Sequence, residues 1–71
     1  MNMQRVNSSN LVAVGYDKAK SILTVEFNGG RVYEYYDVPE SKYNGLMNAS
    51  SHGEYLDAYI KKAGYRYKQI R

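Results

Sequence analysis

The chain has no cysteine and no tryptophan, and it contains one histidine, one proline and one phenylalanine. Without cysteine, no disulfide can crosslink the fold and no thiolate can serve as nucleophile or metal ligand. His52 alone cannot assemble a structural zinc site, and any serine–histidine machinery would have to be built on it. No apolar run approaches the length of a membrane-spanning helix. Residues 1–10 lack the apolar centre of a secretory signal, so the expected location is the cytoplasm, with no membrane partner. The glycine-rich signature of a phosphate loop is missing too, since Asn28-Gly29-Gly30 joins two extended stretches and precedes no helix. Nor do the carboxylates of Asp17, Glu26, Glu34, Asp37, Glu40, Glu54 and Asp57 stand at a metal-loop spacing.

What the chain does have is 71 residues, 44% of them apolar and 24% charged, a balance that belongs to a globular protein. The length suits a single domain, residues 1–71, that buries about 62% of its open-chain surface. Burial alone must then offset chain entropy. A chain this small hardly encloses a pocket of roughly 300 Å³, which together with the absences above predicts no enzyme, no cofactor, no metal and no small-molecule substrate.

Hydrophobic periodicity predicts an α+β fold in which a three-stranded antiparallel meander is followed by two helices. Leu11–Tyr16 is short and rich in β-branched residues, and Asp17–Ser21 is a polar connection. Ile22–Phe27 alternates, with Leu23, Val25 and Phe27 on one side and Thr24 and Glu26 on the other. Asn28-Gly29-Gly30 supplies the backbone freedom of a tight hairpin, and Arg31–Val38 returns as the third strand. Pro39 suits the first turn of a helix whose apolar positions are Val38, Tyr43, Leu46 and Met47. Ser51-His52-Gly53-Glu54 fits a capping box that opens a second helix, with Tyr55, Leu56, Tyr59, Ile60 and Ala63 as its stripe and Gly64 as its left-handed cap. Tyr65–Ile70 alternates again and reads as a short edge strand or an extended tail.

Charge is unevenly placed. Residues 59–71 carry Lys61, Lys62, Arg66, Lys68 and Arg71 with no acid, a local +5. Residues 1–58 hold five basic and seven acidic side chains, leaving −2. Such a tail suits phosphates, and it also suits the negative end of a helix dipole.

Taken in order, Ser8-Ser9-Asn10, Ala13-Val14-Gly15-Tyr16-Asp17, the Leu23/Val25/Phe27 strand, Gly30, Tyr33-x-Tyr35, Val38-Pro39, Tyr43, Ser51-x-Gly53, Tyr55 and Ile60 resemble the KTSC domain family. The resemblance covers almost the whole chain, and its most specific part is Tyr33-Glu34-Tyr35 followed by Val38-Pro39. This family is named after a C-terminal extension of some lysyl-tRNA synthetases, and its members include small free-standing bacterial and phage proteins. The resemblance implies a domain of unestablished function, for which RNA binding has been proposed, and brings no agreed active site. Leu56-Asp57 departs from the Phe-Asn found in many members.

Nine tyrosines are the oddest feature of the composition. Tyr33 and Tyr35 share one face of their strand, roughly 7 Å apart, and could stack two bases. Their side depends on the parity of the hairpin loop. A two-residue Gly29-Gly30 turn sends both rings outward and aims Glu34 at the core. A three-residue loop pairs Val25 with Tyr33 and Leu23 with Tyr35, buries the rings and frees the carboxylate. The cost of burying an unpaired carboxylate favours the three-residue loop. Tyr33, Tyr35, Val38 and Pro39 are then mainly architectural, and Tyr36, Tyr65 and Tyr67 are the candidate surface rings.

Two functions remain in view. The first is an RNA-binding module in which Lys61, Lys62, Arg66, Lys68 and Arg71 contact phosphates while Tyr65 and Tyr67 stack on bases. The second is a protein-interaction module that docks another protein or its own copy through the outer sheet face, at Thr24, Val32 and Tyr36, or through a sheet edge.

Overall fold

The structure is a computed structural model that describes residues 3–71. Met1 and Asn2, where the signal-sequence expectation begins, lie outside the described residues. The elements run β1 (Met3–Arg5), β2 (Leu11–Asp17), β3 (Ile22–Phe27), β4 (Val32–Tyr35), α1 (Glu40–Asn48), α2 (His52–Leu56) and β5 (Tyr67–Gln69). A π-helical turn at Asp57–Lys61 continues α2. All strands pair antiparallel in the order β1-β2-β3-β4-β5.

The α+β class holds, but among the described residues the sheet has five strands, where the sequence pattern predicts three and allows a short C-terminal fourth. Met3-Gln4-Arg5 is exposed throughout and lacks apolar alternation, so β1 exists through its ladder with β2. A long-range backbone pairing of this kind leaves no local signature. β5 is the edge strand that the Tyr65–Ile70 alternation allowed. It pairs Tyr35 with Tyr67 and Glu34 with Lys68. β4 stops at Tyr35 rather than Val38, because Asp37 takes φ +57, a left-handed conformation that aspartate tolerates and a ladder does not. Val38 is buried instead in the core, its amide donating to the Ser21 carbonyl and its own carbonyl accepting from the Tyr16 hydroxyl at 2.6 Å. Pro39 caps α1 from one position outside it, at φ −68.

The hairpin register is the one favoured on charge burial. Leu23 faces Tyr35, Val25 faces Tyr33, and the Phe27 amide donates to the Arg31 carbonyl at 2.8 Å across a three-residue loop. Gly29 and Gly30 sit at φ +92 and +88, where side chains other than glycine's are strained. The sheet's inner face, the helices and Val38 enclose Leu11, Val14, Leu23, Val25, Tyr35, Leu46, Leu56 and Ile60 as one core. Tyr16 stacks on Tyr43 at 5.1 Å and ties the sheet to α1.

The α2 stripe is narrower than its spacing suggests. Leu56 and Ile60 are buried, Tyr59 is 51% exposed and Ala63 is exposed. The Ser51 hydroxyl accepts from the Glu54 amide at 3.3 Å, which is the forward half of the capping box. Among the described residues, the return bond from the Ser51 amide to the Glu54 carboxylate is not formed.

Gly45 lies mid-helix, where it costs about 1 kcal/mol relative to alanine, and the structure supplies its reason. A Cβ there would fall inside the van der Waals shell of the Tyr55 hydroxyl, on a ring that packs against Tyr59 at 4.6 Å. Overpacking of this kind costs about 1–3 kcal/mol and outweighs the propensity gain. Gly45→Ala is therefore expected to lower Tm by about 5 °C or more. A calorimetric Tm at or above that of the parent would show that Tyr55 yields without cost.

Candidate ligand-binding groove

Because Leu23, Val25 and Phe27 alternate inward on β3, the three-residue loop brings Phe27 onto the same face as Tyr33 and Tyr35. β5 adds Tyr67 beside them. The ring centroids stand 5.6 Å apart for Phe27–Tyr33, 6.4 Å for Tyr33–Tyr35, 6.0 Å for Tyr33–Tyr67 and 5.8 Å for Tyr35–Tyr67. The rings thus form the floor and wall of a cleft of about 290 Å³, bordered by Arg31 and Lys61. The Lys61 ammonium lies 5.3 Å from the Phe27 centroid, within cation–π range.

Lys61 reaches the cleft from the π-helical turn, in which the Lys62 amide donates to the Asp57 carbonyl five residues back at 3.2 Å. Such turns are rare and recur at functional positions. No feature of the sequence marks this one. Nothing in the local sequence marks Arg31 or Phe27 as a binding residue, although parity puts Phe27 beside the two tyrosines.

The five C-terminal cations do not gather on one face. Lys62 pairs with Asp57 at 3.6 Å, Arg66 with Asp37 at 3.2 Å and Arg71 with Glu26 at 3.5 Å. Lys68 stands across the ladder from Glu34, on the side of the sheet away from the rings. Lys61 alone of the five joins the aromatic cleft. Among the described residues, Lys61 and Arg31 have no carboxylate partner, so both are available to an anion.

The tyrosines also separate. Tyr67, 64% exposed, lies in the cleft as a surface ring. Tyr65 packs against the core and is not a free surface ring. Tyr36 stands on the outer face with the Arg66 guanidinium 5.8 Å from its ring, and its hydroxyl donates to the Glu34 carboxylate at 3.1 Å. Partial desolvation, then that hydrogen bond and the Glu34 charge, raise the Tyr36 hydroxyl above its ordinary pKa, while Arg66 pulls it the other way. Val32 and Thr24, the other outer-face candidates, are only 7% and 5% exposed.

Tyr33 and Tyr35 are both architecture and cleft. Tyr35 is 4% exposed, and burial, helped by the Tyr33 and Tyr67 hydroxyls, pushes its pKa up to about 12. In the open chain that hydroxyl ionises near 10, so between about pH 10 and 12 the folded state holds the extra proton and stability falls as pH rises. The loss across this window is expected to be roughly 2 kcal/mol. Urea midpoints taken just below pH 10 and at about pH 12 would measure it, and Tyr35→Phe should flatten the slope. A slope unchanged in that variant would assign the effect to other groups.

A second, larger cleft of about 680 Å³ adjoins the first and shares Phe27 and Lys61 with it. Both clefts lie open between elements rather than enclosed within the core. Asn7–Asn10, ahead of β2, forms one wall, and Ser50–Glu54, leading into α2, forms the other. Ser8 Oγ accepts from the amides of Asn10 and Leu11, both at 3.3 Å, which folds the first wall. His52 Nδ1 lies 2.8 Å from the Leu46 carbonyl and anchors the second. These walls carry the Ser8-Ser9-Asn10 and Ser51-x-Gly53 motifs.

The pattern of the KTSC domain matches residues 7–68, from the first wall of the polar cleft to β5. A protein of Tsukamurella paurometabola is 42% identical over 59 residues, covering 83% of this chain and 88% of its own. A lysine–tRNA ligase of Nostoc punctiforme is 38% identical over 55 residues, 78% of this chain but 10% of the ligase. The crystal structure of a KTSC domain protein from Yersinia pestis superposes with a TM-score of 0.90 at 32% identity, covering 99% of this chain and 97% of that one. With its fold and its motif residues both accounted for, the chain belongs to the KTSC domain family.

Proposed function

We propose that the domain is a non-catalytic binding module for single-stranded RNA, taking unpaired bases on Phe27, Tyr33 and Tyr67, with the buried Tyr35 ring as the floor beneath them, and phosphates at Arg31 and Lys61. The observation that carries this reading is the coincidence of the Phe27, Tyr33 and Tyr67 rings with two cations that, among the described residues, lack carboxylate partners. Stacking platforms beside positive charge are how single strands are bound without reading a fixed sequence. Similarity to a segment of lysine–tRNA ligases, proteins named for an RNA, supports the choice of RNA. Docking of another protein, or of a second copy, on the outer sheet face has less support. Val32 and Thr24 are covered there, and Tyr36 is engaged by Arg66 and Glu34.

The tail as a whole would neutralise five phosphates and give a slope of log affinity against log salt near −3.5, at about −0.7 per contact. Two contacts in the cleft predict a slope near −1.4. Titration of fluorescent single-stranded RNA at several salt concentrations is expected to give the shallower slope. Lys61→Ala and Arg31→Ala should each remove about 0.7 from it, and Lys62→Ala should leave it unchanged. Absence of binding at low salt ends this proposal. Equal losses from all five tail cations would move the site out of the cleft.

A further inference from the structure

Five of the six groups that border the aromatic cleft come from the central hairpin and the π-helical turn, and β5 supplies the sixth, Tyr67. β5 itself is exposed along its whole length, so little apolar burial holds it. Its flanks are tied to β4 through the backbone. The Tyr36 amide donates to the Arg66 carbonyl at 2.9 Å, the Ile70 amide to the Val32 carbonyl at 2.8 Å and the Val32 amide to the Arg71 carbonyl at 3.0 Å. An edge strand fixed mainly by backbone bonds near solvent lies at the low end of local stability and opens at little cost.

Two side chains add to that hold, and neither lines the cleft. The Arg71 guanidinium crosses to the hairpin, donating to the Gly30 carbonyl at 3.4 Å and to the Glu26 carboxylate at 3.5 Å. The Glu26 side chain is 27% exposed, so this pair is screened less than Arg66 and Asp37 on the other flank, at 78% and 79%. Gln69 stands opposite Tyr33, accepts from its hydroxyl at 3.2 Å and donates to the Arg71 carbonyl at 3.3 Å. The strand that carries Tyr67 is thus pinned to the hairpin just beyond that ring.

We infer that β5 is the closing wall of the cleft, that Arg71 and Gln69 are positioning residues which keep it closed, and that docking of this strand is coupled to the binding of single-stranded RNA. The inference rests on the RNA-binding reading above and adds to it the way the site is assembled. A base stacked against Tyr67 finds its surface only when β5 is docked. RNA therefore draws the strand onto β4, and whatever loosens the strand weakens RNA in proportion to the docked fraction lost. Arg71 acts through the strand, with its charge taken up by Glu26, and carries no phosphate.

The test uses the full chain, single-stranded oligouridine and a double variant, Gln69→Ala with Arg71→Ala, that keeps every ring and both cations of the cleft. Without RNA, the Tyr36 and Ile70 amides of the parent are expected to exchange with solvent faster than the Val38 amide, which is bonded to Ser21 in the core. In the double variant their exchange should quicken by about tenfold or more, the effect of two lost side-chain holds. Saturating oligouridine should slow the same amides in the parent. Affinity should fall about threefold or more in the variant, while the slope of log affinity against log salt stays near −1.4 because neither residue meets a phosphate. A slope reduced by about 0.7 would make Arg71 a phosphate contact and overturn its positioning role. Exchange that RNA leaves unaltered would overturn the coupling and leave the RNA-binding reading intact. Exchange that the variant leaves unaltered would overturn the hold by Arg71 and Gln69. Failure of oligouridine to bind would remove the coupling together with the reading beneath it, and the variant's exchange rates would still decide what holds β5.

Discussion

Tyr67→Ala is expected to weaken single-stranded RNA by about 5- to 150-fold in Kd, the equivalent of about 1–3 kcal/mol for one lost stacking surface. Tyr67 is the exposed wall of the cleft, on the edge strand, and its ring stands 6.0 Å from Tyr33 and 5.8 Å from Tyr35. Removing it takes away the ring most open to a ligand and leaves the buried part of Tyr35 in place. The fold should therefore survive, with a thermal midpoint close to that of the parent. Tyr36→Ala is the matched control, since that ring lies on the opposite face with Arg66. Direct titration of both variants separates the faces. If Tyr36→Ala lost affinity and Tyr67→Ala did not, the ligand would lie on the outer sheet.

The second large effect falls on stability. Leu23 is fully buried in β3, between Tyr16 on β2 and Tyr35 on β4 in the ladder. Leu23→Ala deletes contacts to both and leaves a cavity that a hydrogen-bonded sheet cannot close, at a cost of about 2–5 kcal/mol. A domain of this length has about 4–11 kcal/mol in total. The urea midpoint should therefore drop by about 2 M or more, taking a slope near 1 kcal/mol/M for a small protein. Because Tyr35 rests on Leu23, RNA affinity should fall in the same variant under conditions where it remains folded. A midpoint shift below about 0.5 M would mean that the core collapses around the missing atoms.

Much of this molecule is legible locally. The β3 alternation, the glycine hairpin, the Ser51 cap and the Gly64 turn, which takes φ +87, are all short-range patterns, and each is found where it reads. The side taken by Tyr33 and Tyr35 follows from the cost of burying Glu34, a constraint that acts across a single hairpin. β1 is not legible, because a three-residue exposed strand is held only by its neighbour's backbone. The clustering of the cations is not legible either. Residues 59–71 form one run of positive charge in the sequence, yet a turn at Gly64 and a strand that alternates faces send its members to Asp57, Asp37, Glu26 and Phe27 in turn.

By itself the sequence determined the α+β class, the inner face of the central hairpin and the family, because these depend on periodicity, turn chemistry and motif order within a few residues of each position. Tertiary structure alone decided that Phe27, Arg31, Lys61 and Tyr67 share a cleft. They come from a strand, a hairpin flank, a π-helical turn and an edge strand, and only the antiparallel closure of β5 onto β4, with α2 packed across the sheet, brings Lys61 and Tyr67 to the cleft that Phe27 and Arg31 border. Proximity of that kind is set by the balance of the whole core, which no window of sequence contains.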